Sequence, residues 1–565
     1  MVSIRKIGVL GRTYRHLSRY RQILSVFFRY GFEDLVDLLK IDQYIEIGLQ
    51  LISRKPRERI ERLTRAQRVR MACEELGPTF IKLGQVLSAR PDLVPLDFIE
   101  ELAKLQDKVP PADYASIHEI VTEELGAAPD EIFSFFEETP FASASIGQVH
   151  QADTQEGDRV AVKVMRPGIR RIIEIDLEIM LHLATLMERH IEEISWFRPV
   201  KIVEEFAKTL EKELDYTIEA TNMERIATQF LGDSTVYIPK VYRETTTSRV
   251  LTMERVKGIK VSEIQRLEAA GLDRRRITQR GADLLLRQVF EHGFFHGDPH
   301  PGNIFVLPHD TICLIDFGIT GTIGLQTRED FVELIHAVVH RNEAKVSQLL
   351  LKLTDWEQEP DIRLLEKDAS DFMGQHMYKP LRDIELGKLL QHLLEIAAHH
   401  RLRIPPDIFL MMKTLATVEG VALMLDPEFD MIRRATPFIE RIKKNRFHPR
   451  RIASDLYDIG SEMMGVMRLL PRDIMDISRM IKRRQLSLQL NLTGMDEMLS
   501  THDQISNRLA FAIIIAGMIV GSSILVISEL PPLVFGISLI GVIVFLTAAF
   551  MGIWLLIAIL RSGRL

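Results

Sequence analysis

The sequence predicts an α+β protein with two lobes, a helical N-terminal extension and a C-terminal hairpin of two transmembrane helices. Three observations over its 565 residues support this fold class. A short segment of alternating apolar residues near Lys163 indicates a strand, whereas long stretches at helical spacing surround it. Polar motifs between Lys163 and Asp316 form one set suited to handling phosphate. Two uncharged apolar runs, 509–528 and 533–560, lie near the end of the chain.

Residues 1–60 are predicted to form a basic helical arm. Between Ile4 and Phe28 apolar residues recur mostly at helical spacing and alternate with arginines and a lysine. A basic amphipathic helix of this kind can lie among anionic lipid headgroups. It can equally pack on the body of the protein with its basic face in solvent, and the sequence leaves both arrangements open.

Residues 61–113 are predicted to form a helical extension that ends at Val109-Pro110-Pro111. Pro78 suits the first turn of a helix, and the apolar residues after it form a stripe at helical spacing. Lys82 and Gln85 are three residues apart, so they point to the same side of this helix. On spacing alone, both could belong to a solvated surface.

The smaller lobe is predicted over residues 114–257 and contains inserted helices. Its strands are expected at 145–152, 159–165 and 249–254. Lys163 lies on the second strand and would face the phosphates of a nucleotide, with Glu219 as the carboxylate partner that a buried ammonium needs. The last strand leads to a hinge whose backbone, at Glu254 and Val256, would bind adenine. Taken alone, Lys163 also fits an ordinary lysine at a strand end.

A loop in this lobe is similar to the glycine-rich loop of kinases. Ala142 and Ala144 stand at the first two glycine positions, whereas Gly147 and Val149 keep the last glycine and the valine. Because alanine resists positive φ, we expect a stiffer lid with altered nucleotide handling. Ser145 is assigned to the same nucleotide-binding set.

The larger lobe, residues 258–440, carries the motifs of a catalytic centre. His296-Gly297-Asp298 precedes Asn303 at the spacing of a kinase catalytic loop, and Asp316-Phe317-Gly318 follows. Asp298 is the candidate base, and Asn303 and Asp316 are candidate Mg²⁺ ligands. The order of these motifs after Lys163 predicts a protein-kinase-like bilobal fold that binds ATP and Mg²⁺. The chain after Gly318 has no room for a long activation segment, which argues against a protein substrate.

The composition excludes some classes of function. The chain has 78 acidic and 72 basic residues, so no net field indicates a nucleic-acid partner. The two cysteines, Cys73 and Cys313, fit a reducing compartment and provide no disulfide framework. The sequence therefore favours an intracellular body.

The C-terminal part is predicted to be bound to the inner (cytoplasmic) membrane. Residues 441–505 form a basic membrane-proximal segment, and 506–565 hold the two transmembrane helices. Arginines flank both outer ends and the connector carries only Glu529, so the positive-inside rule predicts a cytoplasmic body. Gly517 and Gly521 could pack within the hairpin or between two protomers, so a homodimer stays open. A buried pair of core helices is the alternative interpretation of the two spans.

Together these motifs resemble the UbiB family of atypical kinase-like proteins, which includes mitochondrial coenzyme Q chaperone-like ATPases. The resemblance covers roughly residues 68–321 and rests on Lys-x-Gly-Gln at 82–85, the alanine-containing loop, Glu213-x-Asp215 and the motif from His296 to Asn303. It implies that the Lys-x-Gly-Gln helix lies over the active site. Lys82 would pair with Glu213 or Asp215, and Gln85 would contact the nucleotide region.

The same resemblance implies a role in ubiquinone biosynthesis, with ATPase activity rather than phosphorylation of other proteins. The expected partners are anionic membrane lipids, quinone-biosynthesis enzymes and prenylated quinone precursors. Three functions stay open: an ATPase coupled to lipid handling, a small-molecule or lipid phosphotransferase with Asp298 as base, and a nucleotide-binding scaffold without turnover. Four intact residues argue against the scaffold: Lys163, Asp298, Asn303 and Asp316. Lys82 and its helix would occupy substrate space, which favours the ATPase.

Overall fold

The computed structural model describes residues 17–32, 63–88, 90, 93–105, 110–191, 198–356, 360–376, 385–446, 495–528, 531–534 and 537–561. These residues belong to two compact units, 1–453 and 454–565. Most of the basic arm and most of the membrane-proximal segment lie outside the described residues, so the predictions made for them stay predictions.

The first unit is mainly helical. Its helices are α1 Leu17–Arg29, α2 Arg65–Leu76, α3 Pro78–Leu87, α4 Leu96–Leu102, α5 Tyr114–Leu125, α6 Pro129–Ile132, α7 Ile169–His190, α8 Pro199–Glu213, α9 Tyr216–Gln229, α10 Ile264–Ala269, α11 Arg274–Leu286, α12 Leu325–Val339, α13 Glu343–Leu353, α14 Ile362–His376, α15 Leu386–His399, α16 Pro406–Leu425 and α17 Met431–Arg446. Its strands are β1 Phe133–Phe136, β2 Ala142–Ser143, β3 Gly147–Thr154, β4 Arg159–Met165, β5 Val236–Tyr237, β6 Val250–Glu254, β7 Ile259–Lys260, β8 Phe294–His296, β9 Ile304–Leu307, β10 Thr311–Leu314 and β11 Thr320–Thr322. The α+β prediction is confirmed.

A five-stranded antiparallel sheet forms the smaller lobe, in the order β1-β3-β4-β6 with β2 paired to β3. Side chains alternate between the two faces of a strand, so Val162 and Val164 of β4 enter a buried apolar cluster under α5. Lys163 points to the other face. There it pairs in register with Val149 of β3, which places both residues over the cleft.

Helices inserted after β4 and helices before the sheet form one packed layer. The helix α3 packs on α7, and α1 packs on α2 and α7. Ile23 and Leu24 of α1 are buried, and Arg19 Nε donates to Asp176 Oδ1 over 2.7 Å. The described part of the arm therefore packs on the body with its apolar face covered, which is one of the two arrangements that the sequence leaves open.

In the larger lobe, short strands bring two motifs side by side. The strand β8 pairs with β11, so His296 lies opposite Thr320, two residues after Gly318 of the Asp316-Phe317-Gly318 motif. The second sheet has the order β5-β10-β9-β7. The helix α16 packs on α11 and α15. It is long and apolar enough to cross a membrane, but 56% of its most apolar stretch is buried in this unit, which makes it a core helix.

The second unit is a hairpin of two apolar helices, α18 Met495–Ile527 and α19 Leu539–Arg561, joined through the strand pair β12 Leu533–Val534 and β13 Ile537–Ser538. Only 11% of the stretch 508–527 is buried. The two helices lie close together at Gly541, where an added Cβ would lie 2.8 Å from Val526. Gly517 and Gly521 have no neighbour within 4 Å of an added Cβ, so they do not form the packing contact of the hairpin.

Candidate active site

Lys163 on β4 and Glu219 on α9 form a buried ion pair. Lys163 Nζ lies 2.8 Å from Glu219 Oε2 and 3.0 Å from Glu219 Oε1, and Asp316 Oδ1 is 3.7 Å away. Burial would lower the pKa of Lys163, but Asp316 and Glu219 together raise it well above its ordinary value. The Tyr216 ring, with its centroid 5.2 Å from Nζ, adds a cation–π contact. This corner of the cleft therefore holds a fixed cation.

Asp316 supplies a negative charge at the mouth of the same corner. Its side chain is 53% exposed, so the carboxylate faces an open cleft. Lys163 lowers the pKa of Asp316 to about 2, with a further contribution from Lys82. The backbone there has φ +60°, a left-handed conformation that few non-glycine residues adopt. An ionised, exposed carboxylate is a suitable hard ligand for Mg²⁺.

The catalytic-loop motif is locked to this segment by hydrogen bonds. Asp298 N donates to His296 Nδ1 over 3.1 Å, and Asn303 Nδ2 donates to Asp298 O over 3.1 Å. Ile315 N donates to Asn303 O over 3.0 Å. Burial lowers the pKa of His296, so its ring stays neutral and can accept from Asp298 N. Phe317 packs on that ring edge to face. The loop and Asp316 therefore form one rigid assembly.

The extension reaches this site through Lys82. Lys82 Nζ lies 3.4 Å from Glu213 Oε2 at the end of α8. Asp215, the other possible partner, accepts instead from Thr217 N and begins α9 as its N-cap. Gln85 Nε2 donates to Leu105 O over 3.3 Å. This hydrogen bond lies within the extension and does not reach a predicted nucleotide-binding residue.

Gly84 explains how closely the Lys-x-Gly-Gln helix packs. An added Cβ there would lie 2.3 Å from Leu105 and 3.2 Å from Leu102. A side chain at this position would force the buried side chains of Leu102 and Leu105 to shift. Because Lys82 lies on the same helix, its position over the cleft depends on that close contact.

The alanine-containing loop is pinned at its base. Ala144 N donates to Gly147 O over 2.8 Å, and Arg166 donates to Ala144 O over 2.9 Å and to Ser143 Oγ over 2.7 Å. The hydroxyl of Ser145 is buried and has no hydrogen-bond partner in the described residues. Ala142 pairs with Val149 across β2 and β3, as in a short hairpin. The loop is therefore held by specific bonds, beyond the stiffness of alanine itself.

The predicted hinge follows β6. Glu254 N donates to Lys240 O over 2.8 Å, and Tyr237 Oη donates to the Glu254 carboxylate over 2.6 Å. Arg255 N donates to Arg159 O over 3.0 Å. The Glu254 side chain therefore ties strands together, and the assignment of the Glu254 and Val256 backbone to adenine stays a prediction.

Three residues at the site were missed by the sequence analysis. Asn222 Nδ2 donates to Phe317 O over 3.1 Å, Lys413 Nζ lies 3.8 Å from Asp298 Oδ1, and Thr414 Oγ1 donates to Gly297 O over 3.3 Å. Asn222 could have been found because it follows Glu219 by three residues on one helix face. Lys413 and Thr414 lie on α16, which is distant in the sequence. The one indication there is that Lys413 is a single cationic residue in a largely apolar helix.

The donor set fits a nucleotide with Mg²⁺. Asp316 provides a carboxylate, and the Asn303 amide, which donates through its nitrogen to Asp298 O, has its oxygen left for a metal. Lys163 provides the cation for phosphate oxygens. Ser145 and Tyr216 add two buried hydroxyls without partners in the described residues. These are the residue types that phosphate and Mg²⁺ require.

Comparison with known proteins supports the same assignment. The ABC1 atypical kinase-like domain matches residues 104–350, the UbiB helical domain residues 369–430, and the ABC1/UbiB kinase-like C-terminal domain residues 493–561. A Cellvibrio japonicus protein named "Probable protein kinase UbiB" is 36% identical over 80% of this chain and 82% of its own length. The kinase-like, bilobal prediction is thereby confirmed.

Other relatives carry different names. A Clostridium pasteurianum protein named "Uncharacterized protein in hydrogenase 1 5'region" is 32% identical over 88% of this chain and 94% of its own length. A solved complex of Mycobacterium tuberculosis Rv3197 with erythromycin is 26% identical over 61% of this chain and 88% of that chain, with a TM-score of 0.44.

Proposed function

Because the chain belongs to the ABC1/UbiB family of atypical kinase-like proteins, we propose that it is a membrane-anchored ATPase that supports ubiquinone biosynthesis. It binds ATP with Mg²⁺ between the two lobes and hydrolyses it to drive the handling of lipid intermediates or biosynthetic partners. The link to quinones rests on the family resemblance and on the UbiB names of relatives.

The observation that carries the ATPase proposal is the position of Lys82. Its ammonium pairs with Glu213 and lies near enough to Asp316 to lower the pKa of that carboxyl. The extension therefore contributes a charged side chain near Asp316, on the side that the family resemblance assigns to the peptide of an ordinary kinase. Water needs far less space there than a protein substrate does, which favours hydrolysis.

Each site residue has a defined task in this proposal. Lys163, held by Glu219, binds phosphate oxygens and so fixes the reacting phosphate. Asp316 and Asn303 bind Mg²⁺, which neutralises phosphate charge when it is present. Asp298 orients the attacking oxygen and accepts its proton. Lys413 Nζ lies 3.8 Å from Asp298 Oδ1 and so places a cation beside this carboxylate.

The membrane part of the proposal rests on α18 and α19. Both are long, apolar and antiparallel, and the stretch 508–527 exposes most of its surface. Such a surface is stable in hydrocarbon and costly in water. We propose that the hairpin anchors the protein in the cytoplasmic membrane with its body on the cytoplasmic side, close to lipid substrates and anionic headgroups.

The test follows the γ-phosphate of labelled ATP. Purified full-length protein is incubated in anionic liposomes that contain a membrane lipid extract, with Asp298→Asn as the inactive control. Release of free phosphate that Asp298→Asn abolishes and liposomes increase supports the proposal. Asp298→Asn removes the basic carboxylate but keeps a side chain of the same size, so the variant should still fold.

Other outcomes point to the alternatives. Label that moves into a lipid or small molecule would identify a phosphotransferase with Asp298 as its base, and would overturn the ATPase. Nucleotide binding without either product would leave a non-hydrolysing scaffold. Equal phosphate release by the wild type and Asp298→Asn would remove Asp298 from the reaction.

A further inference from the structure

Two helices outside the candidate active site bring an aspartate and two consecutive histidines together. Asp368 lies in α14, His399 is the last residue of α15, and His400 follows it. His399 Nδ1 and His400 Nε2 each lie 2.9 Å from the same oxygen, Asp368 Oδ2. All three potential ligand atoms lie within 4.8 Å of one another.

The backbone that carries the histidines is fixed by a helix C-cap. Arg401 has φ +56°, Leu402 N donates to Ala397 O over 2.8 Å, and Arg401 N donates to Ala398 O over 3.0 Å. This pair of bonds is the Schellman arrangement, and the Leu402 side chain is buried behind it. His399 and His400 are therefore held by a structured helix end, which preorganises the two rings.

The other end of α15 is also tied down. Glu419 of α16 accepts from Leu386 N over 2.7 Å and from Gly387 N over 2.6 Å. The helix α15 thus has a carboxylate contact at each end, Glu419 at its start and Asp368 at its close. Glu419 satisfies backbone donors, as an acid at a helix N-terminus commonly does. Asp368 instead meets two imidazoles, which is a metal-ligand composition.

We propose that Asp368, His399 and His400 bind a divalent transition-metal ion, with Zn²⁺ as the best match. Two imidazole nitrogens and one carboxylate oxygen are typical Zn²⁺ ligands, whereas Mg²⁺ and Ca²⁺ prefer oxygen. Donors about 2 Å from a tetrahedral Zn²⁺ lie ~3.3 Å apart. The two 2.9 Å contacts would widen by a few tenths of an ångström, and the two imidazole nitrogens, which lie within 4.8 Å of each other, would adjust to the same spacing.

The exposure of the three side chains also suits a three-ligand site with a solvent ligand. The side chain of His400 is 4% exposed and that of His399 is 66% exposed. One ligand is thus anchored in the protein and the other faces water, which leaves a direction from which a metal enters and a water completes the coordination. A bound ion would cross-link α14 to the end of α15.

The test is Zn²⁺ binding to the full-length protein after treatment with a chelator. Isothermal titration should show one Zn²⁺ site, and Co²⁺ in its place should give the visible absorption of tetrahedral nitrogen and oxygen ligation. We expect His399→Ala to weaken Zn²⁺ binding at least tenfold. Because His399 is largely exposed, this variant should fold normally, and Asp368→Asn provides a second, independent change.

The matched control is another close histidine pair in the described part of the chain, His336 of α12 and His340, which follows the last residue of that helix. Their rings are stacked with centroids 3.8 Å apart. His340→Ala should leave the measured site unchanged. The proposal is overturned if the wild type binds no Zn²⁺, if His399→Ala and Asp368→Asn bind as the wild type does, or if His340→Ala removes the binding instead.

Discussion

Asp316 combines an unusual backbone conformation with the exposed charge of the site. A non-glycine residue at φ +60° stores strain of about 1–3 kcal/mol, although aspartate and asparagine tolerate this region better than most residues. The strain is held by the hydrogen bonds on either side, from Ile315 N to Asn303 O and from Asn222 Nδ2 to Phe317 O. The result is a carboxylate fixed in front of Lys163.

We predict that Asp316→Asn abolishes the thermal stabilisation by Mg²⁺ and ATP while the fold is retained. Asparagine accepts the same backbone conformation but lacks the charge that binds a metal. The measurement is the shift in melting temperature with and without Mg-ATP. The exposed Asp130→Asn serves as the matched control and should shift as the wild type does. An undiminished shift in Asp316→Asn would remove this residue from the site.

The hydroxyl of Tyr216 is not stabilised by its surroundings in the nucleotide-free protein. It is buried, it has no hydrogen-bond partner in the described residues, and an added Cβ at Gly147 would lie 2.2 Å from it. A buried, unpaired hydroxyl costs free energy, so Tyr216→Phe should raise the free energy of unfolding by about 1 kcal/mol. Gly147→Ala should lower it by about 1–3 kcal/mol, because Val164 O is also only 2.9 Å from the new Cβ.

The double variant separates these two effects. If Gly147→Ala clashes with the hydroxyl, its cost should be smaller in the Tyr216→Phe background than in the wild type. Chemical denaturation of all four proteins in detergent, without nucleotide, measures the coupling. If the two changes in the free energy of unfolding are strictly additive, the Val164 backbone alone limits the size of a side chain at position 147.

At the scale of elements, the lid depends on a side chain of the next strand. Arg166, directly after β4, donates to both Ser143 and Ala144, so it fixes the loop relative to the strand that carries Lys163. Because the lid and Lys163 are attached to the same strand, the distance between them stays constant, and so does the space for the phosphates.

We predict that Arg166→Lys loosens the loop, because an ammonium cannot reproduce the two divergent bonds of a guanidinium. Hydrogen exchange of the Ala144 amide should accelerate, and the affinity for Mg-ATP should fall severalfold. Arg170→Lys is the matched control, since Arg170 donates to Leu214 O at the end of α8. Unchanged exchange at Ala144 would show that the hairpin bond to Gly147 O holds the loop without Arg166.

Several elements show where the sequence was sufficient and where it was not. The Lys163 and Glu219 pair could be predicted because a buried ammonium requires a carboxylate and the motif order restricts the choice. The choice between Glu213 and Asp215 for Lys82 could not be made, since it depends on which carboxylate caps α9. The helix α16 and the stretch 508–527 are both long and apolar enough to cross a membrane, with mean hydropathies of 1.7 and 2.6, and their burial of 56% and 11% separates a core helix from a candidate span. Lys413 reaches Asp298 through the packing of a distant helix.

At the scale of the whole molecule, buried histidines couple stability to pH. Burial lowers the pKa of His150, His182 and His296 below the ordinary value of 6.5. The unfolded chain binds protons near that value, whereas the native chain does not. The contribution of these histidines to the free energy of unfolding should therefore be fully present above pH 6.5. It should be lost as the pH drops through the native pKa values.

Denaturation at about pH 7.5 and about pH 5.5 measures this effect, and stability should be lower at the acidic pH. His182→Phe should reduce the difference, because His182 packs against Tyr20 and burial alone lowers its pKa. Equal stability at the two values would show that these histidines keep their ordinary pKa in the native protein.

The predicted membrane topology can be read with introduced cysteines, because the native ones should not react. Cys73 and Cys313 are both buried, and burial raises the pKa of each thiol to about 12, so neither provides a thiolate. Ser528→Cys reports the exposed end of the first apolar helix, and Glu156→Cys reports an exposed turn of the body. In intact cells an impermeant maleimide should label Ser528→Cys. It should label Glu156→Cys only after permeabilisation, because arginines flank the outer ends of the hairpin and place the body on the cytoplasmic side. Labelling of Glu156→Cys in intact cells would invert the topology, and labelling of both positions only after permeabilisation would mean that the hairpin does not cross the membrane.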